Sequence, residues 1–428
     1  MRGGAAVAVI GGSIAGCAFA SAAVRAGAGE VVVLERTLGR LQDRGLGLCV
    51  HDERAAELTA TGALPAGIAA HRLTRRRWVV RDPSRAASSS SSASPSPSAS
   101  PSVSGRVIWE QPFPFHSYHW GLLWRGLRDG MPAAVDYRQG ESVTAVARSG
   151  ERAEVRFGHG GVERFDLAVG ADGYRSVVRR TVCPESRPHY AGYVCWRGNL
   201  DARGAAALDP SGGAWDDAVT TVCFPGGSCV VYRIPGPDGP RVNWVLYATP
   251  PRDGLGLRLD DPTSFPAGRL SAELAAHLAA LLAEEFPPYW AAVLSLTEPE
   301  DTFVQPIYDL ETPRTTAGRF LLGGDAATVV RPHNTSGAAK ALQDASAFEA
   351  AWRASGSWEG LLRGYEEARG PAGRQMVALA RRLGRAQVER TPDWAAMSEG
   401  DVESWWREQL AGAAGIGGQS MGPAERTP

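Results

Sequence analysis

Three short runs of unbroken apolar character, residues 5–10, 31–34 and 320–322, read as strands, the last of them buried. Other stretches mix apolar and polar positions with a strand-like period: 75–81 (with Trp78, Val79 and Val80), 106–111 and 143–147. Residues 154–157 and 165–169 read as a strand pair. Residues 190–200, 220–224, 229–234 and 243–248, with turn residues between them, predict one antiparallel sheet. The stretch 303–307 then returns the chain towards the run at 320–322. Helical patterns fill the gaps. Small residues predict a helix over 17–26, closed by Gly27, and another spans 120–129. Ser271 caps a helix with Glu273 in its first turn and Leu274, His277, Leu278, Leu281 and Leu282 on its apolar stripe. A helix starts at 335–337 and runs through Ala345; two more, over 358–369 and 372–388, are broken at Gly370 and Pro371. The tail after Ala411 is Gly-rich and is expected to fray.

A chain of 428 residues, 44% hydrophobic and 21% charged, has enough material for two or three domains and a large core. Its formal net charge of −1 creates no field for nucleic acid or a membrane surface. Of 45 basic residues, Lys340 is the sole lysine. The six cysteines show no metal-ligand spacing and no C-x-x-C pair, so no metal is expected, and a reducing, cytoplasmic setting is. Residues 3–24 carry no charge between Arg2 and Arg25, but they are mostly alanine and glycine and are poorly suited to crossing a membrane. Residues 84–104 belong to a low-complexity run of serine, proline and alanine that cannot bury apolar surface; they are expected to be disordered, as the expanded loop of a hairpin over 73–116.

The apolar runs end in chemistry. After the first comes Gly11-Gly12-Ser13-Ile14-Ala15-Gly16; after the second, Glu35-Arg36. Strand, glycine turn, helix, strand and acid make an ADP-binding unit, in which backbone N–H groups approach a pyrophosphate and Glu35 takes ribose hydroxyls. Ser13 replaces the middle glycine of the fingerprint. Residues 44–48, ending at Leu48, offer another glycine-loosened approach to a ligand. Asp172 lies between Gly170 and Gly173, ahead of a helix with Arg175, Arg179 and Arg180. After the third run, Gly323 and Gly324 precede Asp325; Pro332 stops the chain, and a helix starts at Gly337-Ala338-Ala339. A carboxylate at one end of this loop and a bare helix N-terminus at the other suit a flavin, with its ribityl chain on the acid and its ring edge at the helix.

In order and rough spacing, these three motifs resemble the single-component flavin aromatic monooxygenases of the para-hydroxybenzoate hydroxylase superfamily, over nearly the whole chain. Residues 11–16, Tyr193-Val194-Cys195-Trp196-Arg197-Gly198, Arg331-Pro332-His333 and 337–341 look most like the 2,6-dihydroxypyridine hydroxylase branch. The resemblance implies an α/β fold: a Rossmann-like FAD-binding domain with an inserted substrate domain on an antiparallel sheet. It divides the chain into FAD-binding parts at 1–72, 117–185 and 303–378, the hairpin at 73–116, a substrate domain at 186–302 and a C-terminal helix and tail at 379–428. It also implies non-covalent FAD, NAD(P)H as reductant, and O2 added to a hydroxylated aromatic or N-heteroaromatic ring through a flavin C4a-hydroperoxide. Partners are then a small aromatic substrate and O2, with no nucleic acid and no membrane insertion; a homodimer is left open.

The residues assigned to the cofactor are Gly11, Ser13, Ile14, Ala15, Gly16, Glu35, Arg36, Leu48, Val143, Asp172, Gly324, Asp325, Gly337, Ala338 and Ala339. Trp120 stands where many relatives place an FAD-contacting arginine. His333, Tyr193 and Arg197 are the catalytic candidates, with His51 and Tyr232 as further polar groups for the substrate. Competing readings are an FAD-dependent epoxidase or reductase of a lipid or polyketide, and a non-catalytic flavin-binding protein.

Overall fold

The strand Ala6–Ile10 is buried along its whole length because it lies in the middle of a six-stranded sheet. The order is Thr316–Ala317, Phe320–Leu322, Leu167–Gly170, Ala6–Ile10, Glu30–Glu35 and Val135–Gln139, parallel throughout except at the Thr316–Ala317 edge. This Rossmann-like arrangement is seen in a computed structural model that describes residues 4–39, 47–82, 103–209, 215, 217–261 and 270–418. The expected serine-rich insert at 84–104 lies outside the described residues except for Val103 and Ser104, as do residues 44–46.

Both sheet faces are covered, which explains the unbroken apolar runs. Val7, Val9, Val31 and Val33 pack against the helices Ile14–Arg25 and Gly337–Ala354; Phe19 sits 5.5 Å from the Phe348 ring. Ala8, Ile10, Val32 and Leu34 face a small three-stranded sheet and the helix Val177–Val182. The pairing expected for 154–157 and 165–169 is divided. Val162–Phe165 pairs with Arg152–Phe157, while Leu167–Gly170 enters the parallel sheet beside Ala6–Ile10. The sequence break between them is the single residue Asp166, whose Oδ2 accepts from the Ala6 amide at 2.9 Å.

A second, eight-stranded sheet runs Phe303–Asp309, His189–Asp201, Arg241–Ala248, Gly227–Ile234, Ala218–Phe224, His71–Val80, Arg106–His119 and Gly47–His51. The hairpin of the first half therefore joins the later antiparallel strands, through one parallel seam that pairs Thr220 with Arg77. One face carries Val194, Trp196, Val222, Val231, Trp244 and Leu246 against the helices Ala272–Glu285 and Pro288–Leu294. Each such buried side chain stabilises by about 1.5–3 kcal/mol. The other face looks towards the parallel sheet.

Two expectations are corrected near the C-terminus. Trp358–Gly384 is one helix with Pro371 inside it, not two helices broken there. Leu361, Leu362 and Tyr365 are buried before the proline and Met376, Val377, Leu379 and Leu383 after it, so burial on both sides outweighs the interior proline, about 3 kcal/mol. The tail does not fray as far as Gly418. Ala413 is buried in a cluster with Trp78, Trp109, Trp394 and Trp406, and the Gly418 amide donates to Ser336 Oγ at 3.0 Å. Among the described residues, no helix is long and apolar enough to cross a membrane.

Candidate active site

The two sheets enclose a cavity of about 680 Å³, with the turn after Ala6–Ile10 at one end and the free face of the eight-stranded sheet at the other. The turn is shaped by glycine where nothing else fits. Gly11 has φ +100°, and a Cβ there would lie 2.4 Å from the Ala171 carbonyl oxygen; a Cβ on Gly16 would lie 1.8 Å from that of Gly11. Ser13 has φ −79°, open to any residue, so the missing middle glycine is no conformational defect. Trp124 Nε1 and the Tyr137 hydroxyl both donate to the Gly12 carbonyl, at 2.8 and 2.9 Å.

Glu35 lines the cavity but is already engaged: its oxygens accept from the Gly12 and Thr37 amides at 2.8 Å each. Asp172 is held by the Val177 amide at 2.6 Å, while its other oxygen is buried with no hydrogen-bond partner among the described residues. Burial raises the Asp172 carboxyl above the usual carboxylate range. Asp325 opens towards the cavity from a loop whose Gly324 has φ +57°. The surrounding walls raise its carboxyl, and Lys340 and Arg179 partly offset this.

The helix Gly337–Ala354 begins after a left-handed Thr335 and has no side-chain cap. Ser336 is in place to supply one, but its hydroxyl donates to the Asn334 carbonyl at 2.8 Å. The first N–H groups of this 18-residue helix are thus left for a ligand. A glycine cradle with Asp172 beside it, the cavity-facing Asp325 carboxylate and an uncapped helix start fit the pyrophosphate, ribityl chain and ring edge of FAD.

Of the residues assigned to the cofactor, Gly11, Ser13, Ile14, Ala15, Glu35, Arg36, Leu48, Val143, Asp172, Asp325, Gly337 and Ala338 line the one cavity. Gly16 lies beneath the turn, Gly324 sits behind Asp325, and Ala339 faces a separate small recess. Trp120 also lines the cavity.

On the substrate side, Arg197, Tyr232 and His333 line the cavity, whereas Tyr193 stands one layer behind, its hydroxyl 2.8 Å from His333 Nε2. His51 is elsewhere: its Nδ1 accepts from the Glu53 amide at 3.3 Å and caps the helix Asp52–Ala60. Burial, with Arg331 and Arg76 nearby, pushes the His333 pKa down to about 3, so the ring is neutral at working pH. Arg331 is buried on Asp309 at 2.9 Å and Glu389 at 2.8 Å, behind the Tyr193 ring.

Sequence reasoning missed Arg76 and Tyr247. Arg76 sits in the run Arg75-Arg76-Arg77 and looks like a solvated strand edge, yet it is 3% exposed and lines the cavity. Its Nε donates to Thr221 Oγ1 at 2.8 Å, and its guanidinium lies 4.1 Å from the Trp78 ring centre. Burial lowers its pKa only to about 10, so it stays cationic. The available signal was alternation: Trp78, two residues on, had to face inward. Arg197 donates to Cys195 Sγ at 3.3 Å, with no carboxylate in ion-pair range among the described residues. Tyr247 lies 4.1 Å from the His333 ring centre, and burial pushes its phenol well above the usual range.

The low basicity of His333 has a measurable consequence. A group with a lowered folded pKa contributes stability that is fully present above its unfolded value near 6.5 and is lost as pH falls towards about 3. The stability difference between the parent apoprotein and His333→Asn, from urea melts, should therefore shrink by up to about 1.4 kcal/mol per pH unit between pH 6 and 4. A pH-independent difference would mean that His333 is not held neutral.

Comparison with known proteins agrees with this geometry. The family described as FAD binding domain-like matches residues 190–309. The chain is similar to 2,6-dihydroxypyridine 3-monooxygenase of Paenarthrobacter nicotinovorans, 28% identical over 84% of this chain and 86% of that protein. It is also similar to a 3-amino-4-hydroxybenzoate 2-monooxygenase of Streptomyces platensis, 28% identical over 88% and 87%. In fold it resembles the structure of 2,6-dihydroxypyridine-3-hydroxylase from Arthrobacter nicotinovorans, with a TM-score of 0.74 at 24% identity over 91% and 94% of the two chains. It also resembles Klebsiella pneumoniae HpxO complexed with FAD and uric acid, with a TM-score of 0.69 at 22% identity over 96% and 93%.

Proposed function

We propose that this chain, similar over most of its length to FAD-dependent aromatic monooxygenases, uses NAD(P)H and O2 to hydroxylate an already hydroxylated aromatic or N-heteroaromatic ring, 2,6-dihydroxypyridine-like, held as an anion. The observation that carries this reading is the continuity of one cavity, from the Gly11 turn and Asp325 to the guanidinium groups of Arg76 and Arg197. Deprotonating a ring hydroxyl makes the adjacent carbon nucleophilic, and two cations, the buried Arg76 and the half-buried Arg197, favour that form.

FAD, when bound, supplies the redox and oxygen-activating chemistry. The first N–H groups at Gly337 and Ala338 would stabilise negative charge at the ring edge. We assign Glu35 to the adenosine ribose, Asp172 to the pyrophosphate region and NAD(P)H use, and Asp325 to the ribityl hydroxyls. His333 is a weak base at this site, so its role is to orient the substrate by hydrogen bonding, with Tyr193 fixing its ring. The mixed lining, with Arg76, Arg197, Gln305 and Gln387, favours a polar ring over a lipid or polyketide chain.

The protein reconstituted with FAD should be yellow, and hydroxypyridines or phenols should stimulate its NAD(P)H oxidation, with product mass increased by one oxygen. Folded protein that shows no flavin absorbance in excess FAD would sink the whole reading. Flavin-bound protein that hydroxylates none of the panel would sink the substrate class alone.

A further inference from the structure

Lys340 is the only lysine in the chain, and it is 1% exposed. It is the fourth residue of the helix Gly337–Ala354, and its side chain runs back towards the helix start. A helix N-terminus favours anions, so a buried cation here works against the helix's own field. The contacts show what it does. Its Nζ donates to the Gly324 carbonyl at 2.8 Å and to Asp344 Oδ2 at 3.0 Å. The same Asp344 oxygen accepts from the Gly324 amide at 2.9 Å, and its other oxygen takes Arg369 Nε at 2.6 Å.

Gly324 is therefore gripped at both its amide and its carbonyl, in a left-handed conformation, next to the carboxylate assigned to the cofactor. The carboxylates Asp344 and Asp325 share this region with the cations Lys340, Arg369 and Arg179, while Asp172 also faces Arg179 and Glu57 faces Arg369, so removing one cation leaves negative charge in excess behind the loop. The grip needs an ammonium. A compact group can reach a backbone carbonyl and a carboxylate oxygen together, whereas a guanidinium is longer and planar and would bury further N–H donors without acceptors.

We propose that Lys340 is the positioning residue of the cofactor loop: it fixes Asp325 through Gly324, and its charge raises the reduction potential of bound FAD. This rests on the flavin reading above, and the two fail differently. A parent protein that binds no FAD overturns the reading; a flavin-bound parent with indifferent variants overturns the inference alone.

The test uses reconstituted holoprotein. Lys340→Met should weaken oxidised FAD at least tenfold in fluorescence titration. It should weaken reduced FAD a further tenfold, a fall in two-electron midpoint potential of about 30 mV by dye equilibration. Lys340→Arg should fail to restore either property. Asp344→Asn removes a negative charge instead, so its potential should move upward; this gives a readable sign even if Lys340→Met does not fold. Midpoints that stay at the parent value, or that move in the same direction in both charge variants, overturn the electrostatic role. A Lys340→Arg protein that behaves like the parent overturns the requirement for lysine.

Discussion

Asp325→Ala is expected to emerge from gel filtration as apoprotein, with its fold intact by circular dichroism. The carboxylate faces the cavity from a loop fixed by Gly324, and the charge-assisted hydrogen bond proposed for it with the ribityl chain is the kind worth about 1.5–3 kcal/mol. That corresponds to roughly a tenfold to hundredfold rise in the FAD dissociation constant. The fold should survive because Asp325 is not itself the pin: the grip on the loop runs through Lys340 and Asp344. Glu35→Ala should be less clean. Glu35 also holds the Gly12 and Thr37 amides, so removing it frees two backbone donors as well as the proposed ribose contact. If Asp325→Ala holds FAD like the parent while His333→Ala loses it, the cofactor and substrate ends of the loop have been interchanged.

Arg197→Met should keep its flavin and lose its ring. Among the described residues the guanidinium has only a thiol as a polar partner, so an anionic substrate would be its first full counter-charge. Truncating one member of a buried charged pair costs about 2–5 kcal/mol, so affinity for an ionised hydroxypyridine should fall roughly thirtyfold or more. Affinity for a neutral ring of the same shape should change little. Flavin absorbance changes on titration report both. An equal loss for neutral and anionic rings would assign Arg197 to packing rather than charge.

Much of the cofactor end was legible because its chemistry is local. The turn at Gly11, the acid at Glu35 and the Gly323–Asp325 loop each sit where a strand ends, and strand ends can be read from apolar runs. The substrate end was harder because it is assembled by strand pairing. Arg76 reaches Thr221 only because His71–Val80 lies parallel to Ala218–Phe224, a seam that no local pattern announces. Tyr193 was visible as a candidate, but strand alternation alone could not place it behind His333 rather than in the cavity. The helix expected to break at Pro371 shows the same limit: a local rule yielded to burial on both sides.

A chain with one lysine carries one side-chain amine, and here that amine is buried against the Gly324 loop. Amine-selective acylation, followed by mass mapping to separate Lys340 from any α-amine, becomes a clock for that loop alone. No engineered label is needed. Adding FAD should slow modification of Lys340, and the ratio of rates with and without it measures how often the loop lets go.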